Sequence, residues 1–266
     1  MARSCGFLVA DCAFLPRGII HKVTGTRHTT PMTLPPVENR EMHQRITPAD
    51  KLQAELRAFA LDTLRVFVIS LILVPLLCAS FLTLDLPVRF FNPVFTFMRG
   101  LVPSVWLTLG HVIMAVAPIF AVLVTRRFGG VLASRAVMIS WFAVALLILF
   151  ELSVLADVIE AGDFPGTRFV TAFVASAMTG QLVTIAFYDV ARGGGAWWRA
   201  PFYALMAGYG VTAALYFPVA FGNTALPWGG WLVGDLMIRL LMAMASLPLY
   251  AFLRPMLTPR GGYGGR

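Results

Sequence analysis

Residues 168–221 read RFVTAFVASAMTGQLVTIAFYDV (168–190), ARGGGAWWRA (191–200) and PFYALMAGYGVTAALYFPVAF (201–221). Two apolar segments are joined here by a short basic turn. Each segment holds about 20 residues, enough at ~1.5 Å rise per residue to cross a ~30 Å hydrocarbon core. The turn sets Arg192 and Arg199 around Gly193, Gly194 and Gly195, with Trp197 and Trp198 alongside. Arginines with a tryptophan pair at headgroup level mark a cytoplasmic connection between two membrane helices. Within the first segment stand Thr179, Gly180 and Gln181, and a glutamine halfway through a bilayer needs a partner.

The rest of the chain fits that hairpin. Of 266 residues 58% are hydrophobic and 13% charged, with a mean hydropathy of +0.78. Soluble domains carry roughly 25% charged residues, so a soluble globular fold is excluded. The net charge of +8 does not point to nucleic acid, because the basic residues fall singly between apolar spans as membrane anchors do. Cys5, Cys12 and Cys78 offer neither a disulfide framework nor a metal set, and no cofactor motif is present.

Six apolar spans are predicted, at 60–84, 104–126, 132–155, 167–189, 200–221 and 229–253. The expected fold is an all-α membrane protein, a bundle of six transmembrane helices with an interfacial or re-entrant segment at 85–103 between the first two. That segment is aromatic, twice interrupted by proline, and carries Arg89 and Arg99. Residues 1–57 differ in composition and read as a disordered cytoplasmic tail, with Met32 and Met42 as alternative starts. A signal peptide is disfavoured by Asp11 and by the missing cleavage site. The sequence ITPADKLQAELRAF at its end reads as a helix start feeding the first span. The membrane domain is expected over 58–254, followed by a short basic tail over 255–266.

Arginine placement sets the expected topology. Lys51, Arg57 and Arg65 precede or open span one; Arg126, Arg127 and Arg135 join spans two and three. Arg192 and Arg199 join spans four and five, and Arg254, Arg260 and Arg266 follow span six. The connection between spans three and four is acidic, with Glu151, Asp157, Glu160 and Asp163. Positive-inside then places both termini in the cytoplasm of a cell whose inner membrane holds the protein.

Polar residues inside the spans are the place to seek a site. Asp235 and Arg239 lie four apart on one face of span six, acid first, the favourable order. Arg239 falls ~15 Å along that helix, near midplane. The pair either neutralises itself and holds the bundle or lines a solute cavity. Gln181 carries donors and an acceptor, the complement of a purine-like amide edge, and could equally hold two helices together. His111 in span two is a ligand contact, a proton carrier or a bundle-facing histidine. Trp106, Trp141, Trp228 and Trp231 read as belt anchors, and Ala207, Gly208 and Gly210 as a helix-packing face. Asp189 beside Arg192 reads as an interfacial pair. Pro118, Pro218 and Pro248 fall within spans and read as kinks.

The runs FVASAMTGQ, WWRAP and WLVGDLMIRLL with LPLYAFL resemble the VUT family of bacterial inner-membrane proteins, the queuosine precursor transporters. The resemblance covers about 168–253. It implies a six-helix carrier similar to the substrate-binding components of energy-coupling-factor vitamin transporters, importing 7-deazaguanine precursors of queuosine. Gln181 matches the family's glutamine in span four and Asp235 its aspartate in span six, while Arg239 stands where the family usually has lysine. The substrate-binding set this implies is Gln181, Asp235 and Arg239, with Thr179, His111 and Thr212 beside them. Val183 and Thr184 stand where the family has an acid past the glutamine. Val211, Thr212 and Ala213 replace its Ser-Asp-Thr group, and PIFAVLVTRRFGG lacks its acid in span two. A purine-like ligand's N–H groups need acceptors, so a diverged, non-transporting membrane partner is the competing reading, and a vitamin-binding subunit a further one. There is no G-x-x-x-x-G-K-[ST], so energy would come from a gradient, with a proton as the candidate coupling ion, or from a separate subunit. An enzyme is not expected, since neither H-E-x-x-H nor G-x-S-x-G occurs.

Overall fold

The computed structural model describes residues 48–90, 92–95, 102–155, 167–193 and 195–259. The tail before residue 48 lies outside the described residues, as do Cys5, Cys12, Arg99, the acidic Asp157, Glu160 and Asp163, and Arg260 and Arg266. The described chain folds into helices α1 (Pro48–Leu82), α2 (Pro103–Trp106), α3 (Leu109–Phe128), α4 (Gly130–Leu155), α5 (Thr167–Ala191), α6 (Arg199–Phe221) and α7 (Trp228–Leu253). All except the one-turn α2 are long and apolar enough to span a bilayer. The protein is an all-α, multi-pass membrane protein whose outer helix faces meet lipid.

Helix α1 begins at Pro48, ten residues before the expected start of the membrane domain. Proline is tolerated in the first turn, where its missing N–H would have no partner in any case, and Asp50 favours the positive end of the helix dipole. At ~1.5 Å per residue its 35 residues run ~50 Å, longer than a bilayer core is thick. The first turns, through Leu61, are exposed. Val66, Ile69, Ser70, Leu73, Leu77 and Ser80 then form a buried stripe at three- and four-residue spacing.

The segment after α1 turns back along the bundle. Val88 donates its N–H to the Leu107 carbonyl (3.0 Å) and Leu109 to Leu86 (2.7 Å), an isolated antiparallel bridge. That pairing holds Leu107 and Thr108 extended, so the second long helix starts at Leu109 and not at 104. Gly110 is required there. A Cβ on it would strike the Ser80 carbonyl, while the Ser80 hydroxyl donates to the Gly110 carbonyl at 2.7 Å.

Helices α5 and α6, joined by the arginine turn, form the most extensive helix pair. Gly180 on α5 sits against Gly208 on α6, and each is overlaid by a threonine of the other helix. A Cβ on Gly180 would collide with Thr212 Oγ1 and the Gly208 carbonyl; one on Gly208 would collide with Thr184 Oγ1 and the Gly180 carbonyl. Both threonine hydroxyls donate to carbonyls of their own helices at 2.9 Å, Thr184 to Gly180 and Thr212 to Gly208, so no polar group is stranded. Small residues permit backbone approach of this kind, which drives helix association where lipid offers no hydrophobic gain. Gly210, expected on the same face, meets no atom within 4 Å and takes no part.

A polar cluster between four helices

One face of α7 carries Trp231, Asp235, Arg239, Ala243, Ser246 and Tyr250, all buried. The three- and four-residue spacing keeps them on the side turned to α3, α5 and α6. Asp235 and Arg239 are only 2% and 4% exposed, and Arg239 Nε donates to Asp235 Oδ2 at 2.5 Å. The guanidinium lies over the ring of Tyr209 on α6, 5.4 Å from its centroid. A desolvated cation over an aromatic face gains about 2 kcal/mol. Tyr209 in turn donates its hydroxyl to the Ala115 carbonyl of α3 at 2.6 Å. The pair thus neutralises itself and ties α7 through α6 to α3. Among the described residues, Nη1 and Nη2 of Arg239 have no hydrogen-bond acceptor.

His111 enters the same cluster from the first turn of α3. Thr108, which precedes the helix in extended geometry, bonds Nδ1 of the ring at 2.8 Å and so fixes its orientation. Phe173 and Tyr216 meet the ring edge-on, with centroids at 5.6 and 5.2 Å. Its Nε2 is buried with no partner among the described residues. Tyr209, which lies under Arg239, bonds the Ala115 carbonyl one turn along α3 from His111, while Tyr216 of the same helix α6 meets the His111 ring, so α6 bridges the charged pair and the imidazole. A buried unpaired ring nitrogen is costly, and such groups call for a specific explanation.

Gln181 is buried and doubly engaged. Its Oε1 accepts from Trp141 Nε1 of α4 at 3.2 Å, and its Nε2 points to Met114 Sδ of α3 at 3.6 Å. The interhelical role is therefore present, with a sulfur as the weak acceptor for the amide nitrogen. The structure brings together Asp235, Arg239 and His111, with Gln181 next to Met114 one turn along α3 from His111. Thr179 stands apart: it is partly exposed and its hydroxyl bonds the Ala175 carbonyl at 2.7 Å. Thr212 belongs to the α5–α6 crossing, where its hydroxyl is already spent.

Three tryptophans expected in the membrane belt are corrected by the structure. Trp106, Trp141 and Trp231 are 8%, 5% and 6% exposed and lie inside the protein. Trp141 is the donor to Gln181, and Trp231 meets Phe221 edge-on at 5.6 Å. Trp106 and Trp231 stand at helix ends and are set apart from belt anchors by burial, whereas Trp141 also sits mid-helix. Tyr209, Tyr216 and Met114 were not anticipated. Their signal in the sequence is weak, since aromatic and sulfur side chains on an apolar span read as core.

At the arginine end, the expected pair forms: Arg192 Nη2 meets Asp189 Oδ1 at 2.9 Å, and the same carboxylate oxygen accepts from the Gly130 N–H at 3.2 Å. Comparison of the chain with protein-family models, with curated proteins and with solved structures finds no match to any of them.

Proposed function

We propose that this protein carries a small polar solute across the membrane, and that the solute is held by His111, Gln181, Asp235 and Arg239. The observation that carries this reading is the meeting of unpaired hydrogen-bonding capacity inside an apolar bundle. His111 Nε2 is buried with no partner among the described residues, Arg239 is bonded to Asp235 through Nε, and Tyr209 links the Arg239 guanidinium to α3 one turn from His111. Charged and polar groups at this depth are expensive unless function retains them. A planar solute with both donors and acceptors would satisfy His111, Arg239 and, on displacing Met114, the Gln181 amide. Tyr209 and Tyr216 supply flat walls. A 7-deazaguanine precursor of queuosine has that chemistry, and the resemblance of 168–253 to the VUT family points to the same class. The inner membrane, cytoplasmic termini and a proton gradient as driving force belong to this proposal.

A competing reading is a membrane partner that moves nothing. It is favoured by the closure of the site: Asp235 and Arg239 bond each other, Trp141 occupies the Gln181 carbonyl oxygen, and threonines of the α5–α6 crossing stand where the family carries acids. The discriminating experiment expresses the chain in a bacterial strain unable to make or import the precursor and assays queuosine in its tRNA. Rescue by the wild type, lost in Asp235→Asn and Gln181→Ala at equal membrane abundance, is the expected result. An abundant wild-type chain that gives no queuosine overturns the deazaguanine assignment. Rescue by both variants removes these residues from the site.

A further inference from the structure

The arginine ends of α3, α5 and α7 enclose a second polar place, about 140 Å³ in volume. Its wall is built from Arg126, Arg192 and Arg254, the hydroxyl-bearing Tyr188 and Tyr250, and the backbone of the turn at Gly193, Gly195 and Ala196. Among the described residues no carboxylate lines it. Asp189 pairs with Arg192 and accepts from the Gly130 N–H, and Arg192 also gives Nη1 to the Thr125 carbonyl at 3.3 Å. Among the described residues, the charges of Arg126 and Arg254 meet no acid in the wall.

The donors here exceed the acceptors. Arg126 gives Nη1 to Tyr250 Oη at 3.3 Å and Nη2 to the Arg254 carbonyl at 3.4 Å, both long bonds, and its Nε is buried with no partner among the described residues. Tyr188 and Tyr250 share one hydrogen bond between their oxygens at 2.8 Å, so one of their two hydroxyl protons is left over. Trp197 stacks on Tyr250 at 6.5 Å and nearly parallel, closing one side. Arginine is suited to this task because its fork of N–H groups matches phosphate oxygens. The volume is well below the roughly 300–1,000 Å³ of ordinary small-molecule pockets, and so admits a phosphate group without a bulky organic body. The turn with Trp197 and Trp198 joins the ends of two helices long and apolar enough to cross a bilayer, and basic pockets between helices at such ends capture anionic lipid headgroups.

We propose that this cavity is an anion site that binds a phosphate group between Arg126 and Arg254, supplied by an anionic phospholipid or by a free phosphate. The full chain, purified in an uncharged detergent stripped of lipid, is titrated with inorganic phosphate against chloride of equal ionic strength, and its unfolding midpoint is followed. In parallel it is reconstituted into phosphatidylcholine discs with and without phosphatidylglycerol. A rise of several degrees with phosphate in detergent identifies a free anion as a ligand, and a rise with phosphatidylglycerol alone identifies the lipid; both support the site. Arg254→Gln should abolish most of either rise, Arg254→Lys should retain part of it, and Arg168→Gln should leave it intact. Arg254 is exposed, so its replacement leaves the bundle packed. No rise with either probe, or a rise as large as the wild type's in both Arg254→Gln and the double variant Arg126→Gln/Arg254→Gln, overturns the proposal.

Discussion

Gly180 and Gly208 face each other across the α5–α6 crossing so closely that neither position has room for a methyl group. Each backbone carbonyl lies where the other residue's Cβ would stand, and carbonyls cannot rotate away as side chains do. Close approach here sets how deep α6 sits, and hence where Tyr209 meets Arg239 one residue further along.

Gly180→Ala and Gly208→Ala should each destabilise the protein by about 1–3 kcal/mol, the ordinary cost of forcing a methyl into a packed contact. Gly210→Ala, with open space beyond its Cα, should be neutral or slightly stabilising, since alanine is the better helix former. Thermal unfolding in detergent checks all three, and equal midpoints for Gly208→Ala and Gly210→Ala would refute the crossing.

The Asp235–Arg239 pair makes a two-sided prediction. Arg239→Ala leaves a buried carboxylate without its cation and should cost about 3–5 kcal/mol or drive the chain out of the membrane. Replacing both, as Asp235→Leu with Arg239→Met, should restore much of that loss, because no charge is then left unpaired. Expression level and unfolding midpoint of the three variants test this. A double variant as unstable as the single one would mean the pair contributes more than neutrality.

His111→Phe separates stability from function. Phenylalanine keeps the edge-on contacts with Phe173 and Tyr216 and removes a ring nitrogen that has no partner among the described residues. The gain from removing the unpaired Nε2 is offset by loss of the Thr108 bond to Nδ1, so stability should change little, while solute uptake falls at least tenfold. Uptake at the wild-type rate would show that Nε2 has no part in holding the solute.

Trp141 and Gln181 should be coupled. Trp141→Phe strands the Gln181 carbonyl oxygen and Gln181→Leu strands the indole N–H, yet the double variant strands neither. Hydrogen bonds between membrane helices average ~0.6 kcal/mol in double-mutant cycles, so a coupling of about 0.5–2 kcal/mol is expected. Additive losses in midpoint would place the two side chains out of contact.

Much of the fold is legible in the sequence. Four of the six spans match the observed helices to within two residues at both ends, and the first matches at its C-terminal end while its helix starts twelve residues earlier, at Pro48; twenty apolar residues are a local property and every backbone N–H in lipid must bond within its own helix. The second span is instructive: after the one-turn α2 it is broken at 107–108 by a bridge with 86–88, a contact that local hydropathy cannot register. The candidate site was legible only in part. Asp235 and Arg239 announce themselves by charge and spacing, whereas Thr179 and Thr212 are as polar as any ligand and are used up on their own helices.

The sequence by itself determined that the chain crosses a membrane, how many times, and that Asp235 and Arg239 share a helix face. Only the tertiary structure decided that Trp141 serves Gln181, that Tyr209 underlies Arg239, and that Arg126, Arg192 and Arg254 surround one cavity. The physical reason is that crossing a bilayer depends on the composition of single segments. The meeting of side chains depends on the rotation and depth of each helix, which are fixed by contacts such as Gly180 against Gly208, between residues far apart in the chain.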